Sequence, residues 1–285
     1  MRLGQHFLIN KKKIQQIIDA LELKSGDTVI EIGPGNGELT DPLVNRLLDF
    51  RDKIIIIEKD HKFVEGLQEK FAQNKNIKII EGDALKIIPE LAKSYNLKDK
   101  NYKLVGNIPY YITGYLLRII GELKYKPSLI VLTIQKEVAE RICALRQVQG
   151  KPQMNLLAAS VQFWAKPEII GYVPKKDFQP APKVDGAIIK LTTNNQLLIT
   201  KEENKYYKFI KILFKQPRKT ILNNLINAGR FDLPKIDVNI RRPDLQKLLQ
   251  KIGISPNDRP QNLTVKQIIK LSSSLSNMSE VRPQS

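Results

Sequence analysis

Short, nearly uninterrupted apolar runs alternate with segments whose apolar residues return every three or four positions. The runs are Thr28-Val-Ile-Glu-Ile32, Lys53-Ile-Ile-Ile-Ile57, Ile77-Lys-Ile-Ile80, Lys103-Leu-Val105 and Ser128-Leu-Ile-Val-Leu-Thr133. Their β-branched content and brevity predict buried strands. Between them, Leu39/Leu43/Leu47 and Phe63/Leu67/Phe71 keep the i, i+4, i+8 spacing of a helix face, and Ile14/Ile17/Ile18/Leu21 predicts a helix ahead of the first strand. Strand and helix alternating about every 25 residues read as βα units building a parallel sheet.

Beyond Phe163-Trp-Ala-Lys-Pro167 the pattern changes. Glu168–Val173 and Gly186–Leu191 read as two more strands, joined by the proline-rich Phe178-Gln-Pro-Ala-Pro-Lys-Val184, and an antiparallel hairpin closing the sheet is the economical expectation. From about Thr193 the stripes are purely helical: Tyr207/Ile210/Phe214, Ile221/Leu225, Leu245/Leu248/Leu249/Ile252 and Val265/Ile268/Ile269. Thr264 with Gln267 fits a capping box, and the Ser-rich end from Ser272 reads as frayed. The expected organisation is an α/β, Rossmann-like, mostly parallel domain over residues 1–194, a small all-helical domain over 195–275 and a flexible tail over 276–285.

The polar residues at the strand ends carry the chemistry. Successive predicted strands end in Glu31 and the following glycines, Glu58, Asp83 and Asn107. Ligands of open α/β sheets bind at the carboxyl ends of the strands, so these four are expected to line one crevice. Gly33, Gly35 and Gly37 make a G-x-G-x-G turn where a Cβ would keep a ligand off the main chain. A dinucleotide fingerprint needs its third glycine at position 38, which is Glu38. An acid there would repel a pyrophosphate seated at the helix N-terminus. S-adenosylmethionine has no phosphate and carries a cationic sulfonium, so nearby carboxylates are tolerated. Glu58 can accept both ribose hydroxyls, and Asp83 can accept from the adenine amine. A nicotinamide dehydrogenase is thereby disfavoured.

Asn107-Ile-Pro-Tyr110 is the more specific segment. An adenine amine is a poor nucleophile because its lone pair is delocalised into the ring. The Asn107 side-chain oxygen and a nearby backbone carbonyl can accept the amine hydrogens and steer the lone pair out of plane. Pro109 stiffens the turn, and the Tyr110 ring offers a stacking face for an unstacked base. With an activated sulfonium, positioning an in-line displacement suffices.

Composition narrows the alternatives. In 285 residues, 42% apolar, no apolar run approaches the ~20 residues of a membrane span, and the N-terminus lacks a signal-peptide core. Cys143 is the single cysteine, which rules out an internal disulfide framework and fits a reducing cytoplasm. With only His6 and His61 besides, no zinc site is expected. Lys+Arg 47 against Asp+Glu 29 gives +18, a charge that favours a polyanion partner. Of this, 17 basic and 7 acidic residues fall in 201–285, a net +10. Lys11-Lys-Lys13 reads as a solvated face. The Lys215–Lys219 cluster, taken to lie on a helix of the most basic domain, reads as an RNA-phosphate contact.

Six segments in order carry a family resemblance: Gly4-Gln-His-Phe-Leu8, Glu31–Gly37, Asn107–Tyr110, Gln135-Lys-Glu-Val-Ala-Glu-Arg141, Phe178-x-Pro-x-Pro-Lys-Val184 and Arg218-Lys-Thr-Ile-Leu-Asn-Asn224. Over nearly its whole length the chain resembles the KsgA/RsmA ribosomal RNA adenine dimethyltransferases. The resemblance implies S-adenosyl-L-methionine-dependent dimethylation of two adjacent adenines near the 3′ end of 16S rRNA, on a late-assembly 30S particle. It implies that Gln5, His6 and Leu8 help close over the cofactor, with Gly33, Gly35, Glu58, Asp83, Ala84 and Asn107 as its contacts. Asn107, Pro109 and Tyr110 then serve the target base, and Lys183, Lys215, Arg218 and Lys219 the RNA. Without the resemblance, His6 reads as an incidental, partly buried histidine. No metal, no membrane and a monomeric chain are expected. Two alternatives remain: an Erm-type methyltransferase acting on 23S rRNA, and a non-catalytic assembly or transcription factor of the same fold. The Arg218–Asn224 stretch favours the KsgA side. The chain departs from the family pattern at Asn10, usually Asp; at Pro217, usually basic; at Gly186, commonly Ser; and at Gln153-Met154, usually Tyr-Gly.

Overall fold

Every parallel run read from the apolar pattern forms a strand in the structure, a computed structural model that describes residues 5–46, 53–94, 102–144, 147–148, 151–194, 201–228 and 242–280. A two-residue strand β1 (Phe7–Leu8) leads into α1 (Lys11–Ala20). Five βα steps follow: β2 (Thr28–Ile32) and α2 (Thr40–Arg46), β3 (Lys53–Glu58) and α3 (His61–Lys70), β4 (Ile77–Glu81) and α4 (Ala84–Ser94), β5 (Tyr102–Asn107) and α5 (Thr113–Glu122), β6 (Leu129–Gln135) and α6 (Lys136–Ile142). A ribbon of β7 (Gln147–Val148) and β8 (Lys151–Pro152) precedes α7 (Leu156–Trp164), β9 (Ala165–Val173), β10 (Phe178–Gln179) and β11 (Gly186–Thr193). The remainder is helical: α8 (Lys201–Leu213), α9 (Ile221–Ala228), α10 (Arg242–Lys251) and α11 (Val265–Glu280). Among the described residues no helix is long and apolar enough to cross a membrane.

The seven-stranded sheet runs β4-β3-β2-β5-β6-β11-β9. β2 to β6 are mutually parallel, and β11 is antiparallel to both β6 and β9. The fold is therefore α/β and Rossmann-like, with the antiparallel pair at one edge. Every residue of β2 is buried, and Ile54–Ile57 of β3 are at most 3% exposed. Burial on both faces is why these strands read as continuous apolar runs. The chain moves outward from β2 to β4 and then returns to β5, so the strand order reverses between β2 and β5. The register aligns Ile32 with Gly106 and Ile57, and Glu58 with Glu81. The residues after β2, β3, β4 and β5 thus emerge on one edge, at the switch point where such sheets bind ligands.

Local chemistry fixes the ends of the elements. Asn10 caps α1, its side-chain oxygen accepting from the Lys12 and Lys13 amides at 3.0 and 3.3 Å. Asparagine caps as well as aspartate, so this departure from the family pattern leaves the helix start intact. At the opposite edge of the sheet, Lys103 is 5% exposed and pairs with buried Asp27 at 2.6 Å while donating to the Glu22 carbonyl.

Packing divides the chain into two units. One is Met1–Glu140 with Ala165–Gln196; the other is Arg141–Trp164 with Leu197–Ser285. The expected boundary near 194 does not anticipate that Arg141–Trp164 groups with the C-terminal helices. The reason lies in α7: Ala158, Ala159, Val161, Phe163 and Trp164 are buried. Phe163 stacks on Tyr206 of α8 at 4.0 Å, and the Tyr206 hydroxyl donates to the Ala159 carbonyl at 2.9 Å. The Thr264/Gln267 capping box is present, with the Gln267 amide donating to Thr264 Oγ1 and the Thr264 amide to Gln267 Oε1. Fraying from Ser272 is not seen: α11 continues to Glu280, because Leu271 and Leu275 are buried at helical spacing despite the serines between them. The last residues of the expected tail, 281–285, lie outside the described residues, as do Gly4 and Leu47.

Candidate active site

The turn after β2 is built on left-handed backbone, with φ of +62° at Gly33 and +60° at Gly35, a region where L side chains are strained. The two glycines make different room. A Cβ at Gly33 would meet nothing within 4 Å, so its face opens into the cleft. A Cβ at Gly35 would collide with the Phe7 ring, which lies edge-on to Phe63 at 5.6 Å. The space at Gly35 is filled by the protein's own N-terminal segment.

Glu31 departs from expectation. It does not line the crevice; it is fully buried beneath the turn, where its Oε2 accepts from the Thr40 hydroxyl at 2.8 Å and its Oε1 has no partner. Burial raises its carboxyl pKa to about 8, partly offset by the Thr40 hydrogen bond and reinforced by the charges of Glu38, Asp41 and Glu58. Glu31 sits one residue before the end of a two-face-buried strand, so its side chain turns inward.

The next two strand ends do face the cleft. Glu58, 3% exposed, is held by three backbone donors: Gly35 on Oε2 at 3.2 Å, and Lys59 and Asp60 on Oε1 at 2.7 and 2.9 Å. Asp83 uses Oδ1 to cap α4 through the Leu85 amide at 3.0 Å, which leaves Oδ2 toward Lys59 Nζ at 3.6 Å. Lys59 is a cleft residue that the sequence pattern did not single out. Ala84 lines the same wall.

The segment Gln5–Phe7 forms one wall of the cleft. β1 pairs with β10, Phe7 opposite Gln179 and Leu8 opposite Phe178, and His6 Nδ1 donates to the Pro180 carbonyl at 2.7 Å. Gln5, His6 and Phe7 line the cleft, whereas Leu8, 2% exposed, belongs to the hydrophobic core. Strand alternation explains this: neighbours in a strand face opposite ways, so Phe7 takes the position expected of Leu8. Asn107, at the end of β5, donates from Nδ2 to the His6 carbonyl at 2.6 Å.

Pro109 and Tyr110 complete the wall of this cleft of about 220 Å³, which Phe178 also lines. The Tyr110 hydroxyl is buried without a partner, and burial together with the Asp185 charge pushes its pKa up to about 12. Phe178 is 3% exposed, and a Cβ at Gly186 would come within 3.1 Å of its Cζ. Glycine at 186, in place of the family's common serine, gives the Phe178 ring that room. The signal for Phe7 and Phe178 was aromatic residues inside the two motifs that pair as β1 and β10.

The basic candidates lie away from this cleft in sequence. Lys183 is exposed in the loop before β11. Lys215, Arg218 and Lys219 are exposed in the turn between α8 and α9, not on a helix as expected, because Pro217 interrupts the segment. In the same unit, buried Asn224 ties that turn together, its Nδ2 donating to the carbonyls of Gln216, Lys219 and Thr220 at 3.1, 3.3 and 3.2 Å.

The glycine turn and the Asn107–Tyr110 corner meet at the switch point of a doubly wound sheet, the place where a Rossmann-like group-transfer enzyme keeps its site. The model of the ribosomal RNA adenine dimethylase family matches residues 1–276, and the chain belongs to that family. It is 37% identical over 270 residues to ribosomal RNA small subunit methyltransferase A of Dehalococcoides mccartyi, covering 94% of this chain and 86% of the relative. A dimethyladenosine transferase from Plasmodium falciparum superposes with a TM-score of 0.74 at 26% identity, covering 95% of this chain and 98% of that one. The 23S rRNA methyltransferase ErmE shares the fold, with a TM-score of 0.72 at 22% identity over 94% of this chain and 99% of that one.

Proposed function

We propose that this chain transfers methyl groups from S-adenosyl-L-methionine to the exocyclic amines of two adjacent adenines near the 3′ end of 16S rRNA, acting in the cytoplasm on a 30S particle late in its assembly. One observation carries the reading: Gly33, Glu58 and Asp83 share a single cleft with Asn107 and Tyr110. The open face at Gly33 and two acceptor carboxylates fit an adenosine-bearing group that lacks phosphates. That group supplies a methyl already activated on a cationic sulfur.

The rest is done by the protein's own residues. Glu58, pinned by three amides, presents a fixed carboxylate to ribose hydroxyls, and Asp83 Oδ2 presents one to an adenine amine. Gln5, His6 and Phe7 close the cleft from above. With Nδ2 committed to the His6 carbonyl, Asn107 Oδ1 is the acceptor available to the target amine. Tyr110 offers the base a ring face, with Phe178 as the second wall. The target amine, held at Asn107 Oδ1, would take the donor's methyl on its lone pair and then give up one proton to solvent. Positioning supplies the acceleration. The helical unit, through Lys215, Arg218 and Lys219, with Lys183 on the first unit, holds RNA phosphates.

The test is incubation with labelled S-adenosylmethionine and undermodified 30S subunits, followed by mass analysis of the rRNA adenines. Dimethylated adjacent adenines in the small subunit are expected. Transfer to 23S rRNA instead would select the Erm-type activity, and no transfer at saturating cofactor would reject an enzyme.

A further inference from the structure

Tyr111 and Tyr115 are 69% and 56% exposed, the most exposed large apolar side chains among the described residues. They belong to one stripe. Along the 3-10 turn Tyr110–Ile112 and α5, the residues Thr113, Leu116, Leu117 and Ile120 are buried, while Tyr111, Tyr115, Arg118 and Glu122 are exposed at i, i+4, i+7 and i+11. The stripe begins in the cleft, because Tyr111 is itself a lining residue next to Tyr110. Gly114, between Tyr111 and Tyr115 in sequence, faces open space: a Cβ there would meet nothing within 4 Å. Neither ring stacks on another aromatic of the described residues. Arg118 follows one turn on, paired with Glu122 at 2.9 Å on the surface.

We propose that Tyr111 and Tyr115 form a stacking platform for the unpaired nucleotides that flank the target adenine in the RNA strand; this rests on the RNA-methyltransferase reading above. A base drawn into the cleft leaves its neighbours without a stacking partner. Aromatic rings at the pocket lip restore that partner, and single-stranded RNA is bound in this way by exposed Tyr and Phe faces with Arg beside them. The strand that delivers the adenine must pass the lip where Tyr111 stands, and the chain's +18 charge suits it. Stacking tolerates any base, so the platform fixes the path of the strand rather than its sequence.

The test compares wild type, Tyr115→Ala, Tyr111→Ala and Tyr115→Phe on undermodified 30S subunits, with cofactor affinity and thermal stability measured alongside. Tyr115→Ala is expected to raise KM for the particle about 10-fold, with kcat, cofactor Kd and Tm close to wild type, and Tyr115→Phe to restore KM. Ultraviolet cross-linking of the wild-type complex is expected to leave a nucleotide on the peptide containing Tyr115. An unchanged KM in both alanine variants while the wild type is active would overturn the platform alone. A raised KM with no nucleotide on that peptide would also overturn it, pointing to a ribosomal protein instead. An inactive wild type would sink the function reading and this inference with it.

Discussion

The Asn107 side-chain amide donates to the main-chain carbonyl of His6 at 2.6 Å, across 101 residues of sequence. A primary amide can donate from nitrogen and accept at oxygen. Once one N–H is held by a backbone acceptor, which cannot reverse its role, the amide cannot flip and Oδ1 is fixed on the other side as the acceptor for a ligand. The segment that closes over the cleft therefore also sets the amide in the sense an amine substrate requires. His6 is held in turn by Pro180, so the β1–β10 pairing stands behind the orientation of Asn107.

Asn107→Ala removes the acceptor but leaves Glu58, Asp83 and the glycine turn in place. Methyl transfer is expected to fall by about 100-fold or more, the scale seen when one positioned hydrogen-bonding group is deleted from a reactive site. Cofactor affinity measured by equilibrium dialysis should stay within about 10-fold. Equal loss of both would make Asn107 a cofactor residue and remove it from the chemistry.

Gly35→Ala tests the closure from the other side. The new methyl meets the Phe7 ring, and φ of +60° strains any L residue. Phe7 must leave, which opens the cleft above Glu58. Cofactor Kd is expected to rise at least about 10-fold with a loss of about 1–3 kcal/mol in folding stability, read by calorimetric binding and denaturant titration. Gly35→Ala paired with Phe7→Ala should recover part of the stability but not the affinity.

The sheet was legible because parallel strands buried on both faces leave near-continuous apolar runs, as in Lys53–Ile57, and because strand-end polar residues such as Glu58 and Asn107 follow them directly. Glu31 was misplaced because a carboxylate in a strand looks like a surface or site residue in sequence; only the packing reveals that it turns inward to Thr40. Leu8 stands over the cofactor only by the family resemblance; the two residues of β1 give no phase of their own, and β10, whose pairing turns Phe7 rather than Leu8 to the cleft, lies about 170 residues away. The grouping of α7 with the C-terminal helices depends on the stacking of Phe163 with Tyr206, a contact no local pattern encodes. The basic cluster directly follows the Tyr207/Ile210/Phe214 stripe in the most basic part of the chain, and Pro217 alone marks that it is a turn and not helix.

The buried Glu31 carboxyl gives folding a specific pH dependence. Below its ordinary value of 4.5 the group is protonated in both the folded and unfolded chain, and its contribution is flat. Between 4.5 and about 8 only the unfolded chain ionises, so stability falls as pH rises, until the folded group ionises as well. Glu31→Gln keeps an acceptor for Thr40 and removes the titration. The variant should match wild type near pH 4.5 and exceed it by on the order of a few kcal/mol at pH 8, as read by urea denaturation across that range. Parallel curves for the two proteins would mean that Glu31 is charged in the fold.

The exposed turn carrying Lys215, Arg218 and Lys219 is shaped from inside by Asn224, whose amide gathers three of its carbonyls. If these cations meet phosphates, each one removed should release one fewer counterion on binding. Arg218→Ala with Lys219→Ala is expected to weaken 30S binding and to lower the slope of log K against log salt by about one per charge, while cofactor affinity is unchanged. Asn224→Ala keeps every charge but loosens their arrangement, so binding should weaken at low salt with a slope reduced by less than the double variant shows. An unaltered slope in the double variant would place the RNA elsewhere on the protein, and a full loss of slope in Asn224→Ala alone would mean the turn binds only as a rigid unit.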